Sequence, residues 1–135
     1  MSSLSYTNPP GWGTHLGTVN HYAQAISGQG GWDLLTGDIL DPVNAENIAQ
    51  QIDLAFANVD NVLRNAGSKN GWGDVYLARV YFVDLHAFDS AAAKGLSAGL
   101  KKWCSGHKPV LTGVEVKALY SERMRIEIEV EALVE

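Results

Sequence analysis

The sequence predicts an α+β fold, with antiparallel strands forming one layer and two helices packed on one side of it. Three observations lead to that class. A long central segment repeats apolar residues at helical spacing. Segments before and after it alternate, or run almost continuously apolar, as strands do. A second amphipathic stretch separates the later strands.

The elements follow in chain order. Residues 1–13 are rich in Ser, Asn, Pro and Gly and read as a flexible entry segment. Thr18 to Ile26 carries β-branched and aromatic residues and reads as a strand. Ser27 to Gly37 holds four glycines, which predicts tight turns. The clearest helix runs from Asn44 to Ala66. Asn44 is its N-cap, and Ile48, Ile52, Ala55, Phe56, Val59, Val62 and Leu63 fall on one face. Gly67 is placed to end it in a left-handed conformation.

Asp74 to Asp84 reads as a strand. Val75, Leu77, Arg79, Tyr81 and Val83 point one way, and Tyr76, Ala78, Val80 and Phe82 the other. Its nearly continuous apolar content implies that both faces are covered. A second helix is expected from Ser90 to Trp103, capped by Ser90 or Asp89, with Leu96, Leu100 and Trp103 as its stripe. Gly95 and Gly99 lower its propensity, so packing must hold it. Val114 to Leu119 reads as a short strand and Arg125 to Leu133 as the last one. In the latter Ile126, Ile128, Val130 and Ala132 share one face, and Arg125, Glu127, Glu129 and Glu131 the other. With helices on one side only, Val75, Leu77, Tyr81 and Val83 are too apolar for water, so an oligomer is expected.

Length and composition bound the function. The 135 residues suit one domain spanning the whole chain. A net charge of −5 argues against a nucleic-acid binder, which usually carries a basic face. Lys101, Lys102 and Lys108, with His107 among them, form the densest basic group. The lone Cys104 cannot form an internal disulfide, and a reducing compartment is the simplest reading. No apolar run is long enough to span a bilayer, so a cytoplasmic protein is expected. His15, His21, His86 and His107 are scattered without metal-ligand spacing, and no phosphate-binding glycine loop occurs. No metal or cofactor is therefore expected.

An ordered set of segments resembles the RidA/YjgF family of reactive-intermediate deaminases. The segments are HYAQA at His21 to Ala25 and SGQ at Ser27 to Gln29, then QIDLAFANVDNVLRNAG at Gln51 to Gly67. VYLARVYFVDL follows at Val75 to Leu85, PVLTGVEV at Pro109 to Val116, and IEIEV at Ile126 to Val130. The resemblance implies a chorismate-mutase-like fold with a mixed sheet against two helices. It also implies a homotrimer around a central β-barrel, with small-molecule clefts between subunits. Better-known members hydrolyse enamines and imines, holding the substrate carboxylate with an arginine and using a glutamate to position or activate water.

By the same resemblance Glu127 takes the glutamate's position, and Tyr22 and Gly28 take substrate-contacting ones, with Ser27 beside Gly28 offering backbone groups to a ligand. Leu111 replaces the arginine, Gly113 a frequent cysteine, and Ala92 an asparagine. Thr112 lies between two of these, and Trp32 is a candidate pocket wall.

Each residue also has a purely structural reading. Glu127 can be one of three solvated glutamates, Tyr22 a boundary aromatic, Gln29 part of a turn, and Trp72 a loop anchor. Cys104 reads as an inert thiol. Leu111 favours a neutral or hydrophobic ligand, or marks a cleft that has closed. Three functions follow, in order of preference. The first is a divergent enzyme acting on an imine, enamine or related carbonyl compound. The second is a non-catalytic sensor or chaperone-like trimer, and the third an endoribonuclease-like activity.

Overall fold

The computed structural model describes residues 22–134. Residues 1–13, His15, His21 and the first part of the strand expected from Thr18 lie outside the described residues. The elements are β1 (Tyr22–Gly30), α1 (Ala45–Asn65), a 3-10 turn (Gly71–Asp74), β2 (Val75–Phe82), α2 (Ala87–Trp103), β3 (Val110–Glu115) and β4 (Ile126–Val134). The four strands form one sheet in the order β1-β4-β2-β3. β4 runs antiparallel to both of its neighbours, while β2 and β3 are parallel. The sheet is thus mixed, as the family resemblance implies, although the strand pattern alone suggested antiparallel strands. A helix intervenes between β2 and β3, and a crossover of that length returns the chain in the same direction.

Helix α1 obeys its sequence pattern. The Asn44 side chain accepts a hydrogen bond from the Asn47 N–H at 2.8 Å, which satisfies one of the free donors of the first turn. Gly67 follows the last turn at φ +105, in the left-handed half of backbone space. Ile48, Ile52, Ala55, Phe56, Val59 and Leu63 are all buried against β1 and β4 on one side and α2 on the other. Trp72 closes one end of this core. Its ring lies 4.8 Å from that of Phe56, and its indole N–H donates to the Phe56 carbonyl oxygen at 2.8 Å. The expected loop anchor is therefore a core residue.

Gly95 and Gly99 explain how α2 tolerates its weak propensity. A Cβ on Gly99 would collide with the Phe56 ring, and one on Gly95 would stand 2.7 Å from Ile52 Cδ1. The two glycines stand four residues apart, as do Ile52 and Phe56, so each glycine receives one knob of α1.

Three boundaries differ from expectation. Ser27–Gly30 continue β1 instead of turning, with a register shift between Ile26 and Gln29. β3 begins at Val110 and ends at Glu115 because its partner β2 ends at Phe82. Neither Asp89 nor Ser90 caps α2. Phe88, Asp89 and Ser90 instead pass through the left-handed region at φ 52, 57 and 58, a conformation that costs about 1–2 kcal/mol per residue. A second register shift, between Val75 and Leu77, also alters the faces of β2. Val75 joins Ala78, Val80 and Phe82 in the core, leaving Leu77, Arg79 and Tyr81 on the open face.

Two stability measurements test this packing. Gly99→Ala is expected to lower the unfolding free energy by about 1–3 kcal/mol in urea, despite the better helix propensity of alanine, because Phe56 cannot retreat. Gly95→Ala is expected to cost less, since only the tip of Ile52 must move. Burial pushes the Cys104 thiol up from 9.0 to about 11. Below pH 9 the thiol is neutral whether folded or unfolded, and its contribution is complete. Between about pH 9 and 11 only the unfolded chain releases the proton, so stability falls. The stability gap between wild type and Cys104→Ala is expected to narrow across that window in pH-dependent urea melts.

Candidate functional site

Strand β4 presents its apolar residues to the helices and Glu127, Glu129 and Glu131 to the open face of the sheet, as its alternation predicts. These three carboxylates are not equivalent. Glu129 is engaged from β2. Its Oε1 accepts from the Tyr81 hydroxyl at 3.2 Å and pairs with Arg79 Nη1 at 3.3 Å. Partial desolvation, then the charge of Glu129 and its hydrogen bond, raise the Tyr81 phenol above its usual pKa. Glu127 is half-buried and has no hydrogen-bond donor and no ion pair among the described residues. It sits in register with Tyr81 on one side and Gly30 on the other.

Gly28 completes this arrangement. A Cβ at Gly28 would collide with the Glu127 carboxyl group. The bulge in β1 therefore lays bare backbone over the acid, an approach only glycine permits here. Ser27 precedes it, exposed, and its carbonyl oxygen accepts from Gln29 Nε2 at 3.1 Å. Of the residues singled out in the sequence, Ser27, Gly28 and Glu127 thus stand together.

The others are distributed. Tyr22 begins β1 opposite Val134, and its side chain lies outside the described residues. Trp32 is half-buried just beyond β1 and bridges to Ile39. Ala92 packs in the core at 2 % exposure. Thr112 pairs with Arg79 and so belongs to the open face. Leu111 and Gly113 pair with the core residues Ala78 and Val80, which puts them on the helix side of the sheet. Within one chain, Glu127 and Leu111 therefore lie on opposite faces.

Leu111 lines a groove of about 640 Å³ between the last turns of α2, the following loop and the start of β3. Leu100 and Pro109 share its wall with Leu111, and Cys104 lines it. The raised pKa of Cys104 keeps its thiol protonated, so it is no nucleophile at neutral pH. His107 enters the same groove and is fixed by a 2.8 Å hydrogen bond from Nε2 to the Val75 carbonyl oxygen. Among the described residues no three His, Cys, Asp or Glu side chains gather as a metal site would require. No helix among them is long and apolar enough to cross a membrane.

Two buried amides escaped the sequence reading, although both hold the site. Gln51 Nε2 donates to the Arg123 carbonyl at 2.9 Å, while its Oε1 accepts from the Arg125 N–H, so it pins the entry to β4. Asn58 Nδ2 donates to the carbonyls of Gly30 and Trp32 at 2.7 and 2.9 Å, which pins the exit from β1. Their signal was a polar residue at a core-facing helical position, and it was hidden among neighbouring polar residues.

The comparisons with known proteins agree with this architecture. The model of the family described as Endoribonuclease L-PSP matches residues 15–134. A Rid-family protein of Yersinia pestis, YyfB, is 28 % identical with a TM-score of 0.64, over 82 % of this chain and 77 % of its own. E. coli TdcF, solved with bound serine, is 25 % identical with a TM-score of 0.67, over 84 % and 80 %. The E. coli YjgF gene product shares the fold at 24 % identity and a TM-score of 0.67, over 92 % and 90 %. No curated protein matches the sequence. The mixed four-stranded sheet, its two helices and a match over nearly the whole chain place this protein in the Endoribonuclease L-PSP family, that of the YjgF/RidA proteins.

Proposed function

We propose that the chain is a small-molecule enzyme acting on an imine, enamine or related carbonyl metabolite in a cleft between the subunits of a homotrimer. Glu127 supplies the acid–base or water-positioning group. The observation that carries this reading is the contrast between the two neighbouring glutamates. Glu129 is tied to Tyr81 and Arg79, while Glu127 is half-buried, has no such partner and lies against bare backbone at Gly28. A carboxylate left free beside an open approach is suited to move a proton or orient a water. TdcF, solved with serine, gives a family precedent for binding a small amino acid.

Leu111 stands where the family resemblance expects an arginine. It provides an apolar wall and no fixed guanidinium. Since Leu111 and Glu127 occupy opposite faces within one chain, a cleft containing both draws them from different copies. A trimer accounts for that, and the open face supplies apolar surface at Leu77, Val110, Val114 and Leu133 for its assembly. A non-catalytic binding protein is the second reading, and RNA cleavage, which the name of the matched family suggests, is the third. The net charge of −5 weighs against the third.

Measurements on the wild type and two variants separate these readings. Glu127→Gln is expected to lower kcat/KM on 2-aminoacrylate or a neutral imine by about 10²–10⁴-fold. Equal rates would sink the role of Glu127, and ligand-dependent thermal stabilisation without product would identify a binding protein instead. Gly28→Ala is expected to lower activity as well, by pushing the carboxyl aside, and light scattering should return a trimer mass. Cleavage of a labelled RNA by wild type, abolished in Glu127→Gln, would transfer the assignment to a nuclease.

A further inference from the structure

The sequence contains one Asn-Gly pair, Asn70-Gly71, between α1 and β2. Such a pair is chemically labile, because glycine has no side chain to keep its main-chain nitrogen away from the asparagine carboxamide. The fold locks the pair. Asn70 is exposed, but its Nδ2 donates to Asp74 Oδ1 at 2.9 Å, and the Ser68 hydroxyl holds Asp74 Oδ2 at 2.7 Å. Burial raises the Asp74 carboxyl, yet the hydrogen bonds from Asn70 and Ser68 and the charge of Arg64 outweigh it and leave the group below its usual pKa. Asp74 is therefore a charged acceptor at neutral pH. The Asn70 carbonyl oxygen accepts from the Gly73 N–H at 2.9 Å, which closes the turn with Asn70 at ψ 2. At that rotation the Gly71 nitrogen is turned away from the Asn70 side chain. Gly71 itself is buried at φ +54, and a Cβ there would collide with the Asp60 carboxylate, so glycine is required. The same carboxylate accepts from the Trp72 N–H at 3.1 Å, which ties the loop to the end of the core.

We propose that Asn70 is a deamidation site that is silent while this loop is closed and reacts when it opens. In the open loop the Gly71 main-chain nitrogen gives up its proton and bonds to Asn70 Cγ. The bond from Cγ to the side-chain nitrogen breaks, and ammonia leaves with a proton. Water then opens the five-membered imide at either carbonyl and gives an aspartyl or an isoaspartyl residue. Both products carry a carboxylate where an amide had donated to Asp74. Two like charges then share one site, and each opposes ionisation of the other. The isoaspartyl form also adds a methylene to the main chain of a turn closed by the Gly73 N–H. A loop that has opened and reacted does not close as before, and the Trp72 end of the core loses its tie to Asp60. The modification thus records that a molecule has opened there. It is independent of Glu127 and of the proposed reaction.

The test is incubation of the full-length protein in mildly alkaline buffer, with and without urea, followed by peptide mapping that separates asparaginyl, aspartyl and isoaspartyl forms. In urea Asn70 is expected to convert ahead of every other asparagine. In the native protein it is expected to convert at least about tenfold more slowly, since only the open fraction reacts. Asp74→Ala removes the acceptor and is expected to raise the native rate several-fold with the circular dichroism unchanged. Should that variant not fold, Ser68→Ala, which removes one bond to Asp74, is expected to move the rate in the same direction by less. Asn70→Asp, the aspartyl product, is expected to speed deuterium exchange at the Trp72 N–H. Equal rates in native and unfolded protein, another asparagine converting first in urea, a folded lock variant no faster than wild type, or unchanged exchange at Trp72 would overturn the proposal.

Discussion

Two amide side chains on α1 hold the strand ends that bring Gly28 and Glu127 to one place. Gln51 and Asn58 stand seven residues apart, two helical turns, and so face the same way. Each reaches main-chain groups at the end of a strand. One fixes the chain as it enters β4, and the other fixes it as it leaves β1. Because those segments are pinned, the two strands meet in one register, and Gly28 comes to rest on Glu127. A buried amide without partners costs about 1–3 kcal/mol, so these contacts select this register against its neighbours.

The two faces of the sheet then have different work. The covered face is a continuous apolar core in which Phe56, Trp72, Ile126 and Ile128 are almost fully buried. The open face mixes carboxylates with Arg79, Tyr81 and exposed valines. Such a surface is neither a core nor an ordinary solvated face. Its polar groups are already partly paired with one another, as in the contact of Tyr81 and Arg79 with Glu129. Glu127 and Glu131 stay without such partners among the described residues, and of the two Glu127 lies against the bare backbone at Gly28.

Much of this was legible in the residues. The span of α1, its Asn44 cap, the alternation of β4 and the inert nature of Cys104 all follow from local patterns that the fold leaves undisturbed. The extent of β3 was obscured because the residue pattern points to a strand at Val114 to Leu119, beyond its true start at Val110. The bulges were invisible for another reason. An extra residue such as Tyr76 changes which face Val75 joins, and only the partner strand reveals it. For the site, the family resemblance selected Glu127 and Gly28, and folding set them side by side. Local sequence could not show that Leu111 belongs to the other face, since that depends on pairing with Ala78.

The glycine contact between the helices has an effect well away from itself. α2 is tethered at both ends, by β2 before it and β3 after it, and its height above the sheet is set by how closely Gly95 and Gly99 let it rest on α1. The same helix forms the upper jaw of the groove whose lower jaw is β3. The gap between the jaws is accordingly calibrated by two missing methyl groups on the far side of the helix. The width of this groove is governed as much by a helix–helix seam as by the residues that line it.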